Sequence, residues 1–106
     1  ATSGCATLLG ARPLDAARPG ETTLHAVRVD GRTRRFLLHL PPAAARGRVP
    51  LVLAFHGHGA SGAVLRETSR LDAAADAAGV AVAYPDGTGP VPGIGLTWNV
   101  GPCCGW

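Results

Sequence analysis

The stretch LVLAFHGHGASGAVL, residues 51–65, passes from an apolar run into a loop crowded with glycine. Its pattern fits three different chemistries. Gly57, Gly59 and Gly62 spell the G-x-G-x-x-G pattern of a dinucleotide-binding turn. Ser61, flanked by Gly59 and Gly62, is placed like the serine of a nucleophile elbow. The His-Gly pair directly after the apolar run is typical of a loop that places a backbone N–H in an oxyanion hole.

The segments around this loop predict a parallel strand-helix-strand unit. Residues 51–55 are apolar on both faces, which predicts a central strand covered on both sides. The sequence SRLDAAADAAG predicts a helix that Ser69 caps, with Asp72 completing a capping box and Gly79 supplying the left-handed stop. VAVAYPDG follows as a second buried strand. Such a unit is expected to cross over with a right hand.

An antiparallel hairpin is predicted before this unit. The β-prone segments 22–29 and 33–40 are separated by Asp30-Gly31-Arg32, and Asp-Gly tolerates the positive φ of a tight turn. Residues 1–20 carry no periodicity and read as an extended lead-in. The expected fold class is therefore α/β, with a lead-in over residues 1–20 and one folded unit over residues 21–106.

Length and charge exclude several functions. A chain of 106 residues is enough for one small domain, and it has neither a run of about 18 apolar residues nor a cleavable signal, so an exported form is expected to have lost its signal already. The net charge of +3 comes from ten scattered arginines with no lysine, beside five aromatic residues. Nucleic-acid binding needs a basic stripe with interleaved aromatics, so we exclude it.

The three cysteines favour an oxidising compartment. Cys103 and Cys104 are adjacent, and Cys5 lies near the start. Neighbouring cysteines rarely bond to each other, so a bridge from Cys5 to one of the pair is expected. Three free thiols in a reducing cytosol are the alternative. A zinc site is disfavoured because no C-x-x-C or H-x-x-x-H spacing accompanies the cysteines.

Two of the three interpretations of the glycine loop are weakened by its surroundings. A dinucleotide-binding fold begins with its βαβ unit, whereas here a hairpin comes first, and the acid Asp86 follows Pro85 in a predicted turn. A nucleophile elbow needs its serine directly after the strand, but Ser61 stands six residues past Phe55. Ser61 is therefore expected to be a solvated loop serine.

The oxyanion interpretation needs only a strand end, a His-Gly turn and a flexible backbone. Glycines at 57 and 59 are expected to let the chain point an amide outward. The donor is then the backbone N–H of His58, with Gly57 and Gly59 on either side, and the His58 imidazole need not act. His56 is expected to be structural, so neither histidine is assigned as a catalytic base.

Four blocks of the sequence together resemble a known family. In chain order they are RTRRFLLHLP, PLVLAFHGHGASG, LDAAADAAGVAVAYPDGTG and TWNVGPCCGW. From about Gly20 onward the chain is similar to the amino-terminal part of secreted esterases of the polyhydroxybutyrate depolymerase and feruloyl esterase type. The resemblance implies an α/β-hydrolase whose first two strands are the hairpin, with residues 51–55 as the third strand and residues 80–84 as the fourth.

The resemblance also implies an extracellular or periplasmic serine hydrolase of carboxylic esters that needs no cofactor or metal. Such enzymes use a Ser-Asp/Glu-His triad placed after the fourth strand, yet no G-x-S-x-G occurs here. We therefore expect the triad to lie outside this chain, on a carboxyl-terminal remainder or on a second polypeptide, and the chain alone to be inactive. The N–H of His58 would help to hold the oxyanion of an ester or polyester substrate.

Trp98 and the loop GTGPVPGIG, residues 87–95, would border the substrate cleft under this interpretation, or else form a buried tryptophan and a disordered loop. The alternative function is a non-catalytic module. It would be either a dinucleotide-binding half-domain, using the pattern at 57–62, or a vestigial interaction domain.

Overall fold

The computed structural model describes residues 10–104, which form one mixed sheet with helices. The strands are β1 (Thr22–Val29), β2 (Arg32–His39), β3 (Leu51–Leu53) and β4 (Ala81–Pro85). Two α-helices, α1 (Gly62–Ser69) and α2 (Leu71–Ala78), lie between β3 and β4, and short 3-10 helices span Leu14–Ala16 and Pro42–Arg46. No helix among residues 10–104 is long and apolar enough to cross a bilayer.

The predicted hairpin is confirmed. Strands β1 and β2 pair antiparallel from Thr22 opposite His39 to Val29 opposite Arg32. Asp30 and Gly31 form the two-residue turn with φ values of 50° and 77°. Positive φ at both central residues is the requirement of the hairpin turn that matches the strand twist. The turn is one residue shorter than expected, because Arg32 already pairs with Val29.

The predicted parallel unit is confirmed as well. Strand β3 pairs parallel with β4, and β4 pairs antiparallel with β2. The sheet order is therefore β1-β2-β4-β3. Since β2 runs against β4, the start of β2 lies beside the carboxyl end of β4, with Phe36 opposite Pro85.

The crossover contains two helices where the sequence predicts one. Arg70 adopts a left-handed conformation, with φ of 53°, and separates α1 from α2. Ser69 is the last residue of α1, and its Oγ accepts the N–H of Leu71 at 3.3 Å. The capping box is wrong, because the Asp72 carboxylate bonds instead to Arg66 and to the Tyr84 hydroxyl. Gly79 ends α2 with φ of 71°, as predicted.

The core lies on the helix face of β4. Val82 and Tyr84 are fully buried and pack with Ala75 of α2. Leu37 of β2 and Leu65 of α1 complete this layer. Strand β4 thus lies inside the sheet, between β2 and β3, and its first four residues are all buried.

The expectation that residues 51–55 are covered on both sides is wrong for the described chain. Strand β3 lies at the sheet edge, and Leu51, Leu53 and Phe55 are 57, 55 and 59% exposed. Within residues 10–104, β4 is the only strand that pairs with β3. Leu51, Leu53 and Phe55 therefore expose one face of the run, whereas on the other face Val52 is 42% exposed and Ala54 packs against the core.

The described part of the lead-in is tied to the hairpin. The N–H of Arg12 donates to the Leu24 carbonyl at 2.7 Å, and the Arg12 carbonyl bonds to Nδ1 of the buried His25 at 2.7 Å. Gly20 N–H donates to Leu40 O at 2.8 Å. Residues 10–20 are therefore held against β1 and the end of β2, and one turn of 3-10 helix interrupts the expected extended path.

Candidate functional site

The His-Gly turn follows β3 and is fixed by backbone hydrogen bonds. Ala60 N–H donates to the Gly57 carbonyl at 3.2 Å, which closes the turn. Gly59 N–H donates to Leu96 O at 2.8 Å, and Leu96 N–H donates to Ala60 O at 2.9 Å. The turn is therefore anchored on both sides to a segment that follows β4.

His58 lies at the exposed tip of this turn. Among residues 10–104, the backbone N–H of His58 makes no backbone hydrogen bond, whereas the N–H groups of Gly59 and Ala60 are both bonded. A fixed, unbonded N–H at the carboxyl end of a parallel strand can donate to an anionic oxygen. The turn therefore has the donor that the oxyanion interpretation needs, and the assignment of His58 stays a prediction.

The two glycines beside His58 differ in what the backbone requires of them. Gly59 has φ of 80°, a conformation that favours glycine. Gly57 has no positive φ, and a Cβ at its position would meet nothing within 4 Å. The backbone therefore favours glycine at 59 and would accept another residue at 57, and a role of either glycine in aiming the His58 N–H stays a prediction.

His56 is buried, and both of its ring nitrogens are engaged. Nε2 lies 3.0 Å from the N–H of Gly87, which can only donate, and Nδ1 lies 2.7 Å from the carbonyl of Gly57, which can only accept. The ring is therefore neutral in this arrangement, with its proton on Nδ1. His56 joins the ends of β3 and β4, which agrees with the structural role expected for it.

Trp98 packs on the same junction. Its indole N–H donates to the His56 carbonyl at 2.8 Å, and its ring lies 4.8 Å from the His56 ring and 5.3 Å from the Phe55 ring. The indole is half-buried rather than fully buried. Trp98 therefore packs against the strand end that carries the His58 turn. Its place at the border of the substrate cleft stays a prediction.

The loop over residues 87–95 is ordered by pairing, so the disordered-loop alternative is wrong. Thr88 and Thr97 exchange backbone hydrogen bonds of 2.8 and 2.9 Å, and Val91 pairs with Ile94 at the tip. A Cβ at Gly87 would lie 2.2 Å from the Thr97 carbonyl oxygen, so only glycine fits at the base of this loop. The glycine and proline content of the loop, which is typical of disorder, here serves tight turns.

The amino terminus of α1 is already satisfied by side chains of this chain. Gly62 N–H donates to Asp86 Oδ1 at 2.8 Å, and Ser61 Oγ accepts the N–H of Val64 at 3.2 Å. Ser61 is buried and caps the helix, so the expectation of a solvated loop serine is wrong. The dinucleotide interpretation needs this helix terminus for a pyrophosphate and an acid for a ribose, and both groups are occupied here.

The cysteines differ from the expected pairing. Cys103 and Cys104, neighbours in the chain, are bonded to each other. Cys5 lies outside the described residues, so a bridge from Cys5 stays a prediction that competes with this vicinal bond. No cluster of three or more His, Cys, Asp and Glu side chains that could hold a metal occurs between residues 10 and 104.

Comparison with known proteins relates this architecture to esterases. A family model described as "Esterase PHB depolymerase" matches residues 34–90. "Putative esterase NocK" of Nocardia uniformis subsp. tsuyamanensis is 44% identical over 84 residues, covering 76% of this chain and 22% of that protein. The chain thus spans about a fifth of the length of that relative.

A solved structure shares the fold. The S-formylglutathione hydrolase of Agrobacterium tumefaciens superposes with a TM-score of 0.62 at 20% sequence identity, over 73% of this chain and 28% of that chain. The mixed sheet and its crossover helices therefore match part of an α/β-hydrolase fold, as the sequence predicts.

Proposed function

Because this chain belongs to the esterase PHB depolymerase family, we propose that it forms the amino-terminal part of a secreted serine hydrolase of carboxylic esters. The observation that carries the proposal is the unbonded N–H of His58, held at the carboxyl end of β3 by the bonds of Gly59 and Ala60. Ligands of open α/β sheets bind at the carboxyl ends of the strands.

In the proposed reaction, a serine outside this chain attacks the ester carbonyl, and a histidine outside this chain transfers the proton. The tetrahedral intermediate carries its negative charge on the former carbonyl oxygen. The N–H of His58 donates to that oxygen and stabilises it more strongly than the neutral carbonyl of the substrate. One such donor typically lowers the barrier by about 3 kcal/mol.

The exposed edge of β3 supports the placement of the triad on a further part of the protein. Leu51 and Leu53 expose apolar side chains on a strand whose outer edge has no partner among the described residues. Apolar strand edges of this kind are normally paired or covered. We propose that the carboxyl-terminal remainder, as part of the same gene product or as a second chain, adds strands beside β3 and brings the serine to the His58 turn.

The proposed substrates are polyesters of hydroxy acids or feruloyl-type esters. Family membership supports the hydrolysis of esters in general. The choice of a polyester or of an ester of an aromatic acid as the substrate is part of the proposal. Export of the protein is also part of the proposal, because a disulfide among Cys5, Cys103 and Cys104 would persist in an oxidising compartment.

A direct test uses the gene product that contains these residues, called the parent protein below. It should hydrolyse p-nitrophenyl butyrate, and a serine-directed phosphonate should abolish this turnover with one equivalent bound. If the parent protein neither hydrolyses the ester nor binds the phosphonate, the proposal is wrong.

A further inference from the structure

A groove of about 410 Å³ lies between the start of β2 and the loop that follows β4. Its lining includes Arg32, Arg34 and Arg35 from β2, Asp86, Thr88 and Gly93 from the loop, and the buried Leu96. Because β2 runs antiparallel to β4, these residues lie together at the end of the sheet that holds the carboxyl end of β4. We call this the arginine groove.

The arginines of the groove outnumber its carboxylates, because Arg32, Arg34 and Arg35 line it together with one acid, Asp86. Neither Arg34 nor Arg35 forms a salt bridge within the part of the chain that the structure describes. Arg34 donates one hydrogen bond of 3.3 Å to the backbone carbonyl of Asp86. The Asp86 carboxylate also lines the groove, but its Oδ1 already accepts the N–H of Gly62.

Arg35 carries an unsatisfied donor. Its Nε is buried and has no hydrogen-bond partner among residues 10–104. Its Nη2 lies 4.0 Å from the position that a Cβ on Gly93 would take, so the guanidinium reaches the loop side of the groove. Because Nε is shielded, the donors that an acceptor in the groove reaches are the terminal Nη groups, and a charged acceptor makes the strongest hydrogen bond with them.

We propose that the arginine groove binds the oxyanion of a small molecule, a carboxylate or a phosphate, through Arg35 with Arg34 beside it. A planar guanidinium matches both groups because it offers two parallel N–H donors to two oxygens. The ligand adds negative charge to a lining that holds three arginines and one carboxylate, and Asp86 remains bonded to the start of α1.

The groove shares a structural frame with the His58 turn. Leu96 lines the groove, and its backbone bonds to both Gly59 and Ala60 of that turn. A molecule anchored in the groove is thereby placed relative to the oxyanion donor. Resting on the proposed function, the bound oxyanion belongs to the non-reacting part of an ester substrate, so the parent protein prefers esters that carry a second, anionic group.

The first experiment measures binding without catalysis. Succinate and inorganic phosphate are titrated separately into the parent protein by calorimetry, with chloride at the same ionic strength as the reference. Arg35→Gln should weaken binding by about tenfold or more, as expected for loss of a hydrogen bond to a charged group. Arg35→Lys keeps the charge and should recover part of the affinity. The anion that binds identifies the source of the oxyanion.

The matched control is Arg46→Gln, which removes an exposed arginine from the 3-10 helix Pro42–Arg46, outside the groove lining. It should bind both anions like the wild type. Arg34→Gln provides a second variant in case Arg35→Gln fails to fold, and it should weaken binding in the same direction. The proposal would be overturned if the wild type bound succinate and phosphate no more strongly than chloride. It would also be overturned if folded Arg35→Gln and Arg34→Gln both bound the anions as tightly as the wild type does.

The second experiment compares two four-carbon acyl esters, p-nitrophenyl hemisuccinate and p-nitrophenyl butyrate. Arg35→Gln should lower kcat/KM for the anionic ester by about tenfold and leave the neutral ester within about twofold. Equal losses on both esters would contradict the link to the substrate. If the wild type hydrolyses neither ester, the proposed function fails, while the binding experiment still decides whether the groove holds an oxyanion.

Discussion

The backbone N–H of Gly62 donates to the carboxylate of Asp86 across 2.8 Å, which joins the start of α1 to the residue that follows β4. Gly62 also presses directly against β4, because a Cβ at its position would lie only 2.4 Å from the Tyr84 carbonyl oxygen. The last glycine of the G-x-G-x-x-G pattern therefore serves helix-strand packing. The acid that could have bound a ribose serves as a helix cap.

Gly62→Ala should destabilise the parent protein by about 1–3 kcal/mol, because the added methyl group meets the backbone of β4. Gly57→Ala is the matched control, since its Cβ would find open space and its φ is not positive. That control should stay within about 0.5 kcal/mol of the wild type. Equal unfolding midpoints in urea for the two variants would contradict the packing role of Gly62.

Tyr84 predicts a dependence of stability on alkaline pH. Burial, and after it the hydrogen bond and charge of Asp72, raise the pKa of the Tyr84 hydroxyl above its usual value. The hydroxyl therefore stays protonated in the folded state at a pH where the unfolded chain releases the proton. This contribution is complete below about pH 10 and is lost as the pH rises through the folded-state pKa.

The matched variant for this prediction is Tyr84→Phe. Measured in the parent protein, the two proteins differ only in the Tyr84 hydroxyl, so the difference between their pH dependences isolates that group. Above about pH 10, the free energy of unfolding of the wild type should fall more steeply with pH than that of Tyr84→Phe. Parallel curves for the two proteins would show that the folded state does not shift this group.

The sequence predicts the elements whose signals are local. Asp30-Gly31 specifies the hairpin turn, and Gly79 specifies the end of α2, because each needs only its own backbone conformation. The sequence does not predict α1 because GAVLRETS follows the glycine loop directly and contains only two large apolar residues, Val64 and Leu65. Ser61 followed by Gly62-Ala63-Val64 was the available signal, since a serine before a helical segment is a favoured cap.

Other features depend on contacts between distant segments and cannot be predicted from a local pattern. Leu96 holds the His58 turn in place, and Gly87 bonds to the His56 ring. Both contacts join residues more than 30 positions apart. The position of Arg35 opposite the loop after β4 likewise follows from the strand order. The apolar sequence of β3 predicts a buried strand, yet β3 lies at the edge of the sheet. A local pattern cannot predict this, because the burial of a strand depends on which strands lie beside it.

The cysteine pairing is decided by peptide mapping without reduction. The structure joins Cys103 to Cys104, whereas the sequence favours a bridge from Cys5 to one of them. A bridge from Cys5 would close a loop of nearly the whole chain and stabilise the fold by about 4–5 kcal/mol in the chain-entropy model. A peptide containing Cys5 that migrates alone, with a free or acylated sulfur, would rule out that bridge.

The 106-residue chain expressed by itself should self-associate and show no esterase activity that a serine-directed phosphonate blocks. Leu51, Leu53 and Phe55 expose apolar surface beside an open strand edge, which favours association with a second copy. Light scattering after size-exclusion chromatography measures the association. A monodisperse monomer that unfolds cooperatively, or phosphonate-sensitive turnover of p-nitrophenyl butyrate, would contradict the account.

The most direct test of the central claim removes the N–H of His58 and nothing else of chemical importance. His58→Pro deletes the donor, while His58→Ala deletes the imidazole and keeps the donor. In case the proline distorts the turn, a backbone ester in place of the amide between Gly57 and His58 deletes the same N–H.

The measurement is kcat of the parent protein on p-nitrophenyl butyrate, for variants whose thermal unfolding shows that they are folded. His58→Pro and the backbone ester should lose about a hundredfold or more in kcat, because the oxyanion loses a donor that acts in the transition state. His58→Ala should stay within about threefold of the wild type. Wild-type kcat in the folded backbone ester, or a loss in His58→Ala as large as in His58→Pro, would contradict the assignment of this N–H to the oxyanion hole.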